Sequence, residues 1–142
     1  EAADLVFRSG AQLNMLGLNL THQVLMGSVH ADYCYALDTP VGKTAGDLLN
    51  FNGRTHGTEK GANLGAMHDP CAVLAVSHPD LFTSKHRSVV VELEGSHTGG
   101  QTLVDEREWV DTEKNCNVYY EVNSEKVIEL ILQAVSEVDL NG

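Results

Sequence analysis

At 142 residues, with 42% hydrophobic and 20% charged side chains, the chain is long enough for one domain with a real core and has the composition of a soluble globular protein. A net charge of −11 argues against a nucleic-acid partner, which needs clustered Lys and Arg; it suits a solvated acidic surface or a site that collects a cation. No stretch approaches the roughly 18 apolar residues of a membrane span or resembles a signal peptide, and the scattered Cys34, Cys71 and Cys116 form neither a disulfide framework nor a zinc motif, which fits a reducing cytoplasm.

Residues 1–9 place Ala2, Leu5 and Val6 on one helical face, with Gly10 as a C-cap. The chain opens at Glu1 without a methionine and inside this helical pattern, so it is expected to be a piece of something longer. Residues 13–20 (LNMLGLNL) read as a strand, Gly17 allowing close backbone approach. Thr21 is a candidate cap, and residues 21–26 and 29–37 read as mostly helical and half buried, with His22 and His30 as structural or surface residues. A break at Asp38-Thr39-Pro40 precedes a helix over 41–54, whose Ala45, Leu48, Leu49 and Phe51 should pack on the core. Residues 52–63 are poor in large apolar side chains and rich in turn formers, which predicts a mobile loop, placed so that a lid over a site is possible.

The central stretch is residues 65–79, GAMHDPCAVLAVSHP. It sets His68 and Asp69 side by side between a glycine-rich loop and a small apolar run that reads as a buried helix. Asp69 is expected to cap that helix and Pro70 to occupy its first turn, where the missing N–H costs nothing. An imidazole and a carboxylate at a helix N-terminus suit a metal or an acid–base step, and the macrodipole favours the ionised carboxylate. Downstream, residues 80–82 read as a turn and residues 88–94, 101–105 and 117–123 as strands. A charged, irregular segment carries Trp109. Ser124 is the expected cap of a last helix, 125–138, that buries Val127, Ile128, Ile131, Leu132 and Val135. Helices and strands alternate early, a small β region comes later, and a helix finishes. This predicts a single α/β domain over 1–142, with a mostly parallel sheet flanked by helices and ligands bound beyond the carboxyl ends of strands.

Three stretches occur in a telling order: residues 1–23 (EAADLVFRSGAQLNMLGLNLTHQ), 67–82 (MHDPCAVLAVSHPDLF) and 89–105 (VVVELEGSHTGGQTLVD). They resemble the C-terminal half of the inosine-uridine-type nucleoside hydrolase family, with its "GLDVTH" segment, its "HDP" block before an apolar helix, and its "TRG-TVVD" strand pair. The resemblance implies a nucleoside hydrolase-like fold and a calcium-dependent enzyme that splits the N-glycosidic bond of ribonucleosides. It implies calcium ligation by Asp69, a proton donor to the leaving base in His68, and closure over the base by the upstream segment with Arg54 and His56. It also implies homo-oligomers.

The chain departs from the family at Asn19, where the family shows Asp, and at His97-Thr98-Gly99-Gly100, which lacks the family's basic residue. The family's aspartate cluster, D-x-D-x-G-x-D-D, and its ribose-binding Asn and Glu do not occur in this sequence. Activity is therefore expected to need the missing N-terminal half, in the same precursor or as a second chain. A non-catalytic truncated remnant and a nucleoside- or sugar-binding module are the alternatives.

Overall fold

Two strands a hundred residues apart in sequence organise the chain: β1 (Leu13–Met15) lies parallel to β6 (Cys116–Val122), with Leu13 opposite Cys116. The computed structural model describes residues 1–55 and 63–138. β6 also pairs antiparallel with β4 (Phe82–Val91), and β4 with β5 (Thr102–Asp105), giving a sheet ordered β1-β6-β4-β5. A separate antiparallel ribbon joins β2 (Leu25–Met26) to β3 (Gly65–Ala66). The helices are α1 (Ala2–Phe7), α2 (Leu18–Thr21), α3 (Ser28–Ala36), α4 (Pro40–Thr55), α5 (His68–Ser77) and α6 (Ser124–Glu137), with a 3-10 turn at Pro79–Leu81.

The α/β class stands, but the expectation of a mostly parallel sheet is corrected. One pairing of the four-stranded sheet is parallel and two are antiparallel. The connection from β4 to β5 is short and carries no helix, and a parallel pair needs a longer crossover. The late β region is thus not a separate appendage; β4 and β6 form the middle of the main sheet.

The alternation of side chains along β6, shifted by one residue at an irregularity around Tyr120, separates two cores. Cys116 and Val118 are buried with Val89 of β4, and Phe7, Leu13, Met15, Val104 and Tyr120 pack around them. Tyr119 and Val122 pack instead against the larger cluster of Leu20, Val24, Met26, Met67, Cys71 and Val127, which Ile128, Ile131 and Leu132 of α6 help to cover. Each fully buried aliphatic side chain of these clusters contributes about 1.5–3 kcal/mol. α6 begins with Asn123, whose side chain accepts from the Lys126 backbone N–H, so Asn123 rather than Ser124 is the cap.

Several expected boundaries move. The strand expected over 13–20 ends at Met15, because Gly17 is extended and serves as the N-cap of α2. Residues 25–26, read as helix, form β2 by pairing with a segment 40 residues away (Leu25 opposite Ala66). In α1, Leu5 and Val6 are exposed, and Asp4 is the buried residue, its carboxylate accepting from Arg8 Nε at 2.9 Å. α4 continues through Thr55, so residues 52–55, expected as loop, are helical; the rest of the lid expectation, including His56, lies outside the described residues.

The buried face of α4 also differs from the expected one. Leu48 and Phe51 are exposed, while Gly42, Gly46 and Gly53 are buried. α3 approaches so closely that a Cβ on Gly46 would sit 2.6 Å from Tyr35 Cε1, and one on Gly42 would collide with the carbonyl oxygen of Cys34. Small residues, not large apolar ones, set the α3–α4 distance. Gly42→Ala must therefore push backbone against backbone, and it should destabilise the fold by about 1–3 kcal/mol. A thermal melt checks this, and an unchanged midpoint would refute the close packing.

All three cysteines are buried and unpaired. Burial raises each thiol above its ordinary range, Cys71 to about 11. The thiolate is the reactive form. Ellman's reagent should therefore titrate no thiol in the native protein and all of them after denaturation; rapid native labelling would contradict the described packing.

Candidate functional site

The site is built where β3 runs into α5. The Met67 backbone N–H donates to the Val24 carbonyl at 2.9 Å, and Met67 and Cys71 are buried on either side of His68 and Asp69. α5 starts at His68 with Met67 as an N-cap that offers no side-chain bond. The expected cap by Asp69 is thus corrected: Asp69 lies inside the first turn, with its side chain exposed. The carboxylate still benefits from the positive end of the helix. Pro70 occupies the first turn as expected. The helix is not buried all round. Cys71 and Ala75, four apart, form its inner face, while Val73 and Val76 are 67% and 82% exposed.

Opposite the start of α5 stands α2. The Asn19 side-chain amide donates to the Tyr119 carbonyl at 3.0 Å, and that of Gln23 donates to the Tyr120 carbonyl at 2.7 Å. These two bonds anchor α2 to β6. An aspartate at position 19 has no N–H to give, so the departure at Asn19 has a structural use. From this anchored helix Thr21 Oγ1 reaches His68 Nδ1 at 2.9 Å. The His22 ring lies beside the same imidazole, with centroids 5.8 Å apart and planes tilted by 53°.

A cavity of about 380 Å³ opens next to this pair. Leu48, Phe51 and Asn52 of α4 form one side and His68, Asp69 and Pro70 the other. The exposed apolar side chains of α4 thus have a place: they wall a cleft whose polar side chains are Asn52, His68 and Asp69. Such a cleft suits a ligand with flat apolar faces and a polar rim. Asn52 is held by a bond from its amide to the Ala66 carbonyl at 3.3 Å.

His68 and Asp69 are thus brought together on one wall. Arg54 is exposed in the last turn of α4, two residues past Asn52, and is not among the described residues that line the cavity. His56 lies outside the described residues. Thr21, Leu48, Phe51 and Asn52 were not anticipated as site residues. Thr21 read as a helix cap, Leu48 and Phe51 as core and Asn52 as loop, and only the 47-residue separation closed by the Thr21–His68 bond reveals the first. Among the described residues, no group of three or more His, Cys, Asp or Glu converges as a metal cage.

A larger cleft, about 480 Å³, lies elsewhere, around Arg87, Arg107 and Trp109. Its guanidinium groups are already matched: Arg87 pairs with Glu106 and Glu108, and Arg107 with Asp105. Hydrogen bonding to Arg107 holds the Asp105 carboxyl down at about 2, while burial and the bond to Glu106 push the Tyr120 hydroxyl up to about 12. This is a network of internal ion pairs with no cation-to-anion imbalance to attract a ligand.

A family model described as inosine-uridine preferring nucleoside hydrolase matches residues 1–129. Among curated relatives, the chain is 33% identical over 136 residues to the pyrimidine-specific ribonucleoside hydrolase RihA of Shewanella woodyi, a match covering 95% of this chain and 44% of that protein. It is 34% identical to the protein of the same name in Photobacterium profundum, covering 96% of this chain and 44% of the relative. Of solved structures, a purine-preferring ribonucleoside hydrolase from Gardnerella vaginalis superposes with a TM-score of 0.82 at 29% identity, over 96% of this chain and 43% of that one. The plant nucleoside hydrolase PpNRh1 superposes with a TM-score of 0.83 at 26% identity, over 97% and 45% of the two chains. The chain spans less than half the length of the relatives it matches.

Proposed function

The chain belongs to the inosine-uridine preferring nucleoside hydrolase family, and from that membership we propose that it forms part of an enzyme that hydrolyses the N-glycosidic bond of ribonucleosides. The observation that carries the reading is the consecutive pair His68 and Asp69 on the wall of a half-apolar cleft, with the imidazole hydrogen-bonded from behind. The relatives are named for pyrimidine and for purine nucleosides alike, so the proposed substrates are ribonucleosides as a class.

In this reading the apolar side chains of α4 contact the faces of the base and His68 stands by its leaving nitrogen. The bond from the sugar C1′ to that nitrogen breaks, and a water oxygen bonds to C1′ through an oxocarbenium-like transition state, the water releasing a proton that balances the one given to the base. The departing base gathers negative charge, and a proton from His68 neutralises it. Asp69 is proposed as a ligand for calcium. Its carboxylate is exposed, stands at a helix N-terminus and has no partner among the described residues, which is the chemistry a hard cation asks of an oxygen donor. Bound calcium would orient the ribose hydroxyls and make a water more acidic.

Calcium takes about six to eight oxygens, so most of the ligand set is proposed to come from the portion of the relatives that this chain does not span. We propose as the seat of that further polypeptide portion, or of a second chain, an apolar groove of about 450 Å³ between α5 and α6, lined by Val73, Leu74, Leu130 and Ile131 and bordered by Asp69. Association into homo-oligomers is proposed on the same ground. The free buried thiols support a cytoplasmic setting, and among the described residues no helix is long and apolar enough to cross a membrane. Assembly that binds a nucleoside without turnover is the competing reading, favoured by the lack, among the described residues, of any group of three or more His, Cys, Asp or Glu that could hold a metal ion; calcium-dependent release of free base decides between the two.

In the complete enzyme, His68→Ala should lower turnover by about a hundredfold and leave nucleoside affinity nearly unchanged. A parallel loss of both, seen by steady-state kinetics and equilibrium binding, would rule out the leaving-group role. Asp69→Ala should weaken calcium binding in isothermal titration calorimetry, and an unaltered isotherm would remove Asp69 from the ligand set.

A further inference from the structure

We propose that Thr21 is the positioning residue for His68: its hydroxyl accepts from the ring Nδ1–H and fixes the plane of the imidazole. For its effect on turnover this rests on the hydrolase reading above; the hydrogen bond itself does not.

Thr21 Oγ1 lies 2.9 Å from His68 Nδ1 and 3.4 Å from the Gly17 carbonyl oxygen. A hydroxyl has one proton to give and lone pairs with which to accept, whereas a carbonyl only accepts. Both contacts are therefore hydrogen bonds in one arrangement alone. Thr21 donates to Gly17, and His68 Nδ1–H donates to Thr21. If Thr21 gave its proton to Nδ1 instead, the Gly17 contact would have none. In the consistent arrangement the ring proton sits on Nδ1, held by Thr21, and Nε2 is not engaged by this bond.

The surroundings make this bond a constraint rather than a passing contact. Thr21 is only 2% exposed, so water has little access to replace it. The helix that carries it is buried through Leu20 and tied to β6 on both sides of Thr21, by Asn19 and Gln23. His22 flanks the imidazole on a tilted plane and limits its rotation. The orientation of His68 is thus referred to the central sheet, although His68 itself sits on an exposed helix end. Proton transfer demands such geometry, because a general acid must lie within hydrogen-bond reach of the atom it serves.

The test compares Thr21→Val, which is nearly isosteric but has no hydroxyl, with Thr21→Ser, which keeps it, in the full-length protein. Two readouts are used: steady-state kinetics on ribonucleosides, and nitrogen-15 NMR of the His68 ring, whose two nitrogens have distinct shifts in the two neutral tautomers. The neutral wild-type ring should be protonated at Nδ1. Thr21→Val should move the proton toward Nε2 and lower kcat about tenfold or more, with KM changed by no more than about twofold. Thr21→Ser should restore both signatures.

A wild-type ring protonated at Nε2 would overturn the proposal whether or not the valine variant folds. So would a serine variant as slow as the valine one. Wild-type protein that releases no base would reject the hydrolase reading instead, and the NMR comparison would still decide the role of Thr21.

Discussion

The backbone bond from Met67 to Val24, made while Met67 and Cys71 sink into the cluster around Leu20 and Met26, is the constraint on which the site depends. It fixes the residue at which extended chain becomes helix. Met67 and Cys71 face inward, so the intervening His68 and Asp69 must face out, on the first turn of α5. Burial of two apolar side chains thus presents two polar ones. A slip of one residue in this register would put the His68 ring where Met67 sits, burying a polar group that costs free energy unless it finds a partner.

Two further packing choices turn that exposed turn into a cleft. The first is the anchoring of α2 on β6 by side-chain amides, which brings Thr21 and His22 to one side of His68. The second is the glycine-mediated contact of α4 with α3. Because α4 buries Gly42 and Gly46, its Leu48, Phe51 and Asn52 remain free to form the opposite wall. A helix that buried its leucines instead would turn this wall inward and close the cleft. Site and scaffold therefore share residues, and stability at the α3–α4 contact is coupled to the shape of the site.

Charge is handled differently at the far end of the sheet. Arg87, nearly buried, is matched by Glu106 and Glu108, and Asp105 by Arg107. These pairs occupy the hairpin end of the sheet and its charged segment, and the exposed members among them contribute little to stability individually. What they accomplish is local neutrality: both guanidinium groups of the larger cleft are matched by carboxylates. Asp69, by contrast, is an exposed carboxylate in the first turn of a helix and lines the smaller cleft beside His68.

How much of this could be read without a structure depends on the range of the interactions. Local chemistry was legible: the α/β alternation, the strands at the end of the chain, the proline in the first turn of α5 and the adjacent His68 and Asp69 all follow from patterns a few residues long. Motif order over the chain was legible too, and the family membership follows from it. Contacts between distant segments were not. Residues 25–26 are a strand only because Gly65 and Ala66 pair with them, and Leu48 and Phe51 are exposed only because glycines take the buried face. Thr21 looked like a cap because a hydroxyl before a helix usually is one, while its bond to His68 spans 47 positions. By itself, then, the sequence determined the family, the class of fold and the adjacency of His68 and Asp69 at the start of a helix. Tertiary structure decided the mixed pairing of the sheet, the face that each helix buries and the partner of each side chain, because backbone pairing and side-chain packing across long separations leave no periodic trace in the chain.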